Sequence, residues 1–329
     1  MAKRFENELE LSLADRVKLT LFAAISIALA FTFSCSGNGN NDEQPFIDSS
    51  SSSEFSSSSS SVDELSSSSE EPSSSSVEEP SSSSSFPLCG TISYDPATQF
   101  CFNNIKIGAK CGARTEVFDP DLYECRSDSK IYLKTPVSYG GESYEAVLIG
   151  TQTWLTENLN YEASGSKCYD DDPANCVTYG RLYDWATAMA IDASCNTQSI
   201  ASCGAIVSTP HQGVCPSGWH LPTDAEWSVL ETFVGGSSTA GTRLKSVSDW
   251  NTGSGYVAGT DTYGFSALPG GCRNTGGSFL YVGSNGFWWT ATESGSNAFL
   301  RYVNSGYENV YEGSGIKASG YSVRCVQDL

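Results

Sequence analysis

Hydrophobic positions divide this chain into four zones. Leu19 to Phe33 form one uncharged, mostly apolar run of 15 residues. Residues 36–87 have few apolar side chains and no period. Residues 88–134 carry short β-prone runs set between cysteines. From 136 to 329 the pattern is that of a packed domain, in which strand-like and helix-like spacings alternate. There "SYEAVLIGTQTWLTENLNY" predicts two strands with a turn at Gly150–Thr151. "YGRLYDWATAMAID" sets Leu182, Trp185, Ala186 and Met189 on one face of a helix. "TDAEWSVLETFVGG" predicts a second helix, with Trp227, Leu230 and Val234 at the helical period and Gly235–Gly236 as its stop. Short strands between glycine loops follow, and the last two segments read as a closing meander. The expectation is an α+β domain with two main helices, short antiparallel strands and much irregular loop.

The N-terminal run sets the compartment. Arg16 and Lys18 precede it and Ser34–Cys35 follow, the layout of an export signal over residues 1–35. It is shorter than the roughly 20 residues of a membrane-spanning helix. The segment resembles a bacterial lipoprotein signal, in which Cys35 is acylated and becomes the mature N-terminus. Ordinary secretion and a retained anchor helix are the other readings of the same residues. Residues 36–87 hold ten acids and no base among serine blocks. So little apolar surface does not offset chain entropy, which predicts a disordered Ser/Glu-rich linker with an r.m.s. span of about 40 Å. A glycosylated stalk is a second reading. The membrane, reached through a lipid anchor, is therefore the first expected partner. The expected location is the bacterial cell envelope, at the outer surface or facing the periplasm.

Charge and cysteines narrow the function. Residues 88–329 carry 24 acids and 14 bases, within a formal net charge of −20 for the chain. Nucleic-acid binding needs clustered Lys and Arg, so nucleic acid is not an expected partner. Twelve cysteines with no C-x-x-C point to disulfides in an oxidising compartment. "CGTISYDPATQFC" and "CGARTEVFDPDLYEC" share the pattern C-G-x(3 or 5)-[YF]-D-P-x4-C. Asp-Pro favours a turn, so each copy predicts a hairpin closed by its own cysteines, Cys89–Cys101 and Cys111–Cys125. Four cysteines permit three pairings. Residues 88–134 thus read as a small two-repeat cysteine module, either a spacer or a ligand-binding unit.

Candidate chemistry is sparse. "CPSGWHLPTDAEW" holds His220, but Thr223 and Glu226 have capping-box spacing and Asp224 suits the positive helix end. His220 then reads as a hydrogen-bonded structural residue. His211 lies in a loop after Pro210. No G-x-S-x-G, H-E-x-x-H or P-loop occurs. Asp170, Asp171 and Asp172 concentrate carboxylates in one loop, a candidate calcium site of hard oxygen ligands. Solvated charge is the alternative there, and no other cofactor is expected. The aromatic load is high, with 16 Tyr, 15 Phe and seven Trp. On a strand, Trp288 and Trp289 face opposite sides, one to the core and one outward. With Arg273, Asn274, Tyr281, Asn285, Glu293 and Asn297 nearby they form a candidate sugar-stacking surface; core packing is the alternative.

"VLIGTQTWLTENLNY", "YGRLYDWATAM", "CPSGWHLPTDAEW", "AGTRLKS", "YGFSALPGG", "FWWTATE" and "GYSVRCVQD" occur in order over roughly 136–329. Together they resemble the Fibrobacter succinogenes major paralogous domain, found in exported proteins and lipoproteins, often after Ser-rich linkers. "LPTDAEW" and the terminal "RC" are similar to the formylglycine-generating-enzyme and C-type-lectin-like superfold, which implies a C-type-lectin-like architecture. Oxidases of that superfold bind copper through two cysteines near the C-terminus. Here "CYDDDPANC" and "CNTQSIASC" close local loops, Cys168–Cys176 and Cys195–Cys203. Cys215 and Cys325 suit a long-range pair tying the two ends of the domain. With Cys35 acylated, Cys272 is left as a candidate free thiol, which does not recreate a copper pair. The expected function is a non-catalytic binding or adhesion module for polysaccharide or an envelope protein. An oxidoreductase or protein-modifying enzyme using Cys272, and a purely structural envelope protein, are the alternatives.

Overall fold

A computed structural model describes residues 32–33, 35 and 86–328. The rest of the expected signal peptide and linker lies outside the described residues. The repeats hold the pairs β2 (Leu88–Cys89) with β3 (Ile92–Ser93) and β4 (Gln99–Phe102) with β5 (Lys106–Ala109), after β1 (Thr32–Phe33). Then come β6 (Tyr123–Cys125), β7 (Ile131–Leu133), the hairpin β8 (Val137–Tyr139) and β9 (Glu142–Tyr144), β10 (Ala146–Ile149) and β11 (Gln152–Leu155). After β12 (Trp219–His220) the chain forms β13 (Gly270–Arg273), β14 (Phe279–Val282), β15 (Asn285–Ser294), β16 (Asn297–Asn304), β17 (Val310–Gly315) and β18 (Val326–Gln327). Among the described residues five α-helices are interspersed: α1 (Pro173–Tyr179), α2 (Trp185–Ala188), α3 (Ile200–Cys203), α4 (Asp224–Phe233) and α5 (Ser237–Leu244). The architecture is α+β.

Two six-stranded sheets carry the domain, in the orders β1-β17-β16-β15-β13-β14 and β12-β18-β11-β10-β7-β6. The first is built on the antiparallel meander β15–β16–β17. In the second, β10 and β11 turn at Gly150–Thr151, where Gly150 has φ +65° and Ile149 pairs with Gln152. Both strands are buried along their whole length because their alternate side chains enter different cores. One core gathers Trp185, Met189, Trp219, Trp289 and Tyr321. The other gathers Trp154, Trp227, Phe265 and Trp288 from both sheets and α4.

The second sheet runs past the expected module boundary. β7 of the second repeat pairs with β10, and Phe100, Phe118, Ile131 and Leu148 form a small shared core. Asp-Pro makes a turn in both repeats, with Asp95 Oδ1 accepting from Ala97 N and Asp119 Oδ1 from Asp121 N, each at 2.9 Å. The hairpins do not close around that turn, contrary to expectation. The strand after each Asp-Pro pairs with the next strand instead, β4 with β5 and β6 with β7. Lys110 and Lys134 then donate to the carbonyls of Pro96 and Pro120 in equivalent positions.

Helix α4 has the predicted stripe and the predicted capping box at Thr223 and Glu226. "YGRLYDWATAMAID" yields only the single turn α2. Leu182 and Tyr183 are held in bridges to Lys167 and Tyr321, and Ala190 takes φ +52°. Leu182, Trp185, Ala186 and Met189 are nevertheless all buried. Helix α5 was not foreseen, because "SSTAGTRL" has little apolar pattern. Its Gly241 lies against the backbone of Asn309, where a Cβ would meet the carbonyl oxygen at 2.3 Å.

Two buried arginines lock the layers. Arg301 on β16 reaches Asp224, Glu231 and Ser228 of α4. Arg324 is fully buried and holds carbonyls in place of a carboxylate. It donates to Leu155 and Thr156 at 3.0 and 2.9 Å, to Phe265, and to Asn158 Oδ1 at 2.7 Å. Burial lowers its pKa to about 9, which leaves it charged at neutral pH.

Candidate functional site

A solvent-open cleft of about 480 Å³ is bounded by the β8–β9 hairpin, the loop 160–171 and α1. The hairpin turns at Gly140–Gly141, with φ +63° and +87°. A side chain at Gly140 would strike the ring of Tyr161 at 2.8 Å. Tyr161 in turn stacks on Tyr139, with centroids 4.7 Å apart. The Cys168–Cys176 bridge pins the loop to α1. Beneath the cleft, Tyr144 accepts from Asn160 N at 3.0 Å, and burial pushes its pKa up to about 12.

The lining side chains are paired. Asn160 Nδ2 donates to Glu142 Oε1 at 3.0 Å. Arg181 lies 3.3 Å from Glu162, and Lys167 lies 3.5 Å from Asp171. Three carboxylates face two cations, so the lining is almost neutral and rich in donors and acceptors of both kinds. Asn160 Oδ1 and Arg181 Nε are buried and have no protein partner. Such a lining suits a polyhydroxylated ligand, whose hydroxyls donate and accept at once.

The residues expected from sequence are dispersed. Asp171 reaches the cleft. Asp172 instead caps α1, accepting from Ala174 N at 3.0 Å, and Asp170 is exposed beside it. Among the described residues no group of three or more His, Cys, Asp or Glu side chains is placed to hold a metal ion. The aspartate trio therefore does not converge as a calcium site.

Trp288 and Trp289 are both buried, at 1% and 0% exposure, and neither faces outward as expected. Strand β15 has a core on each side. Trp288 packs on Trp227 and donates to Asn158 Oδ1 at 2.8 Å, whereas Trp289 packs on Tyr321 and donates to the carbonyl of Tyr183 at 2.8 Å. Glu293 serves Lys317 and the N–H of Ile200. Asn285 accepts from Asn304 at 3.2 Å, Asn274 forms the β13–β14 turn with Ser278, and Asn297 closes the β15–β16 hairpin opposite Ser294. The side chains of Arg273 and Tyr281 make ring contacts, with Phe279 and Phe287.

The cysteines pair as Cys89–Cys101, Cys111–Cys125, Cys168–Cys176, Cys195–Cys203 and Cys215–Cys325. Cys272 is not free, contrary to expectation: it is buried and bonded to Cys35. Here β1 runs parallel beside β17 and delivers Cys35 to the core. A sulfur in this bridge does not also carry a lipid thioether, so acylation of Cys35 requires the bridge to be absent. Glu142, Asn160, Glu162, Lys167 and Arg181 escaped the sequence reading. Single charges in polar loops look alike until the backbone brings them together.

An α+β domain stapled by disulfides, with a mixed-charge cleft at its edge, is the class these features define. Residues 147–327 match the family model described as the Fibrobacter succinogenes major domain, and the chain belongs to this family. No curated protein and no solved structure matches the chain. Asn160, Glu162, Lys167, Asp171 and Arg181 fall inside the matched region, and Glu142 just outside it.

Proposed function

We propose that this protein is an exported, non-catalytic binding module of the cell envelope, and that its cleft holds a segment of polysaccharide. The near-neutral cleft with Asn160 Oδ1 and Arg181 Nε unpartnered beside the Tyr139–Tyr161 stack carries this reading. A sugar hydroxyl supplies both a donor and an acceptor, and the half-buried Tyr139–Tyr161 stack braces the hairpin at the cleft's edge. A C-type-lectin-like architecture accords with the meander, the two longer helices and the Cys215–Cys325 bridge between the ends of the domain. Residues 1–35 act as the export signal, and in the lipid-anchored form Cys272 is left as a buried thiol.

Retention of the full chain on a panel of insoluble polysaccharides tests the binding function. Wild type is expected to be retained on at least one of them. Asn160→Ala and Arg181→Ala are each expected to weaken retention severalfold. No retention of folded wild type on any polymer would overturn the reading. Cys35→Ala is expected to release the protein from membranes, and continued membrane association would overturn the lipid anchor.

A further inference from the structure

Arg273 stands apart from every other cation of the domain. Among the described residues it is the only Lys or Arg whose side chain has neither an ion pair nor a hydrogen bond. The other thirteen each hold a carboxylate or a carbonyl. Its Nε is buried without a partner. The backbone of Arg273 is fixed at both ends, donating to Gly320 O at 2.9 Å and accepting from Gly320 N at 2.7 Å. Its guanidinium lies over the ring of Phe279, 5.9 Å from the centroid. An unneutralised arginine in a region with 24 acids and 14 bases is a preformed receptor for an anion.

Two further observations direct that anion. Tyr281, two residues past Phe279, is 42% exposed and takes φ +68°, a left-handed conformation costly for an aromatic residue. Phe279 also touches Tyr169, at 5.3 Å between centroids, and Tyr169 sits between Cys168 and Asp171 of the cleft lip. Tyr169 is itself buried; Arg273 and Leu182, the neighbour of the cleft's Arg181, both border Gly320, so Arg273 stands beside the cleft and outside its lining.

We infer that Arg273 is a specificity residue that reads a carboxylate on the ligand in the cleft, which rests on the polysaccharide reading above. The ligand class is a mainly neutral polysaccharide bearing isolated uronic acid groups. The near-neutral cleft takes the neutral backbone, and one free arginine offsets one carboxylate. A polyanion meets repulsion from the ten excess acids of residues 88–329.

The test compares retention of the full chain on a glucuronate-bearing xylan and on the same polymer after reduction of its carboxyl groups to alcohols. Wild type is expected to bind the native polymer about fivefold more tightly than the reduced one. Arg273→Ala should abolish that preference while binding the reduced polymer as wild type does, which also shows that it is folded. Arg273→Lys, which keeps charge but loses the planar fork, should restore part of the preference. Equal binding of both polymers by wild type, or an unchanged preference in Arg273→Ala, overturns this inference and leaves the cleft reading standing. Binding of neither polymer by wild type overturns the inference, and failure on the wider panel overturns the cleft reading itself.

Discussion

Oε1 of Glu226 lies 2.8 Å from Nε2 of His220, while Oε2 of the same carboxylate lies 2.8 Å from the backbone N of Thr223. One side chain thus closes the cap of α4 and holds a buried imidazole. The other ring nitrogen of His220 is 2.7 Å from Asp328 Oδ1, just past β18. Burial pulls the imidazole pKa down, but the bonds to Glu226 and Asp328 outweigh it and hold the pKa above the ordinary 6.5. Burial likewise raises Glu226, but the bonds from His220 and Thr223 outweigh it and hold the carboxyl below 4.5.

The signs fix a pH window. A raised imidazole stabilises fully below its unfolded pKa and loses that contribution as pH rises through the folded value. A depressed carboxyl stabilises above its unfolded pKa and loses its contribution as pH falls through the folded value. The cluster is therefore most stabilising between about pH 4.5 and 6.5, the two ordinary values. His220→Gln is expected to cost about 1 kcal/mol there, discounted for the partly exposed carboxylates. In melts across pH, the gap from wild type should narrow above the raised imidazole pKa. A gap that widens on the alkaline side would refute the assignment.

Arg324→Met removes the donors that satisfy Leu155, Thr156, Phe265 and Asn158. Loss of about 3–5 kcal/mol is expected, since the buried carbonyls of Leu155, Thr156 and Phe265 lose this donor, while Asn158 Oδ1 keeps its bond from Trp288. Denaturant midpoints check it, and a shift below about 1 kcal/mol would contradict the bolt role.

Trp289→Phe keeps a ring in the core but deletes the bond to Tyr183 O. It should destabilise by about 1–3 kcal/mol and leave polysaccharide retention at the wild-type level. Reduced retention by a folded variant would return Trp289 to the ligand surface.

The bridges should differ by position. Cys215 and Cys325 are 110 residues apart, so Cys215→Ala with Cys325→Ala is expected to cost about 4–5 kcal/mol. Cys168 and Cys176 are eight apart, for about 2–3 kcal/mol, but they border the cleft. Removing that short bridge should weaken ligand retention more than removing the long one, measured where both variants are still folded.

Helix α4 and its cap were legible because period, stop and capping box agree over Thr223–Gly236. The β10–β11 turn was legible for the same reason. The five bridges other than Cys35–Cys272 followed from short loops, the repeat and the ends of the domain. The two tryptophans were misread because one strand with a core on each side gives no outward face. α5 was missed because its Gly241 answers to close packing on the backbone of Glu308 and Asn309, a contact that is invisible in one dimension. The cleft was illegible for a related reason: Glu142 and Arg181 are far apart in sequence and meet only after the hairpin folds over the loop. Asp171 alone drew notice, for its neighbours Asp170 and Asp172, which do not join it.

The Cys35–Cys272 bond spans 237 residues and makes a covalent ring of everything between them. The Ser-rich stretch belongs to that ring. A protease that cuts it opens the ring without dividing the molecule, and the two pieces part only on reduction. A lipid-bearing chain, whose Cys35 has no bridge, separates at the first cut. A nicked sample run with and without reductant therefore distinguishes a leash fixed at one end from a loop fastened at both.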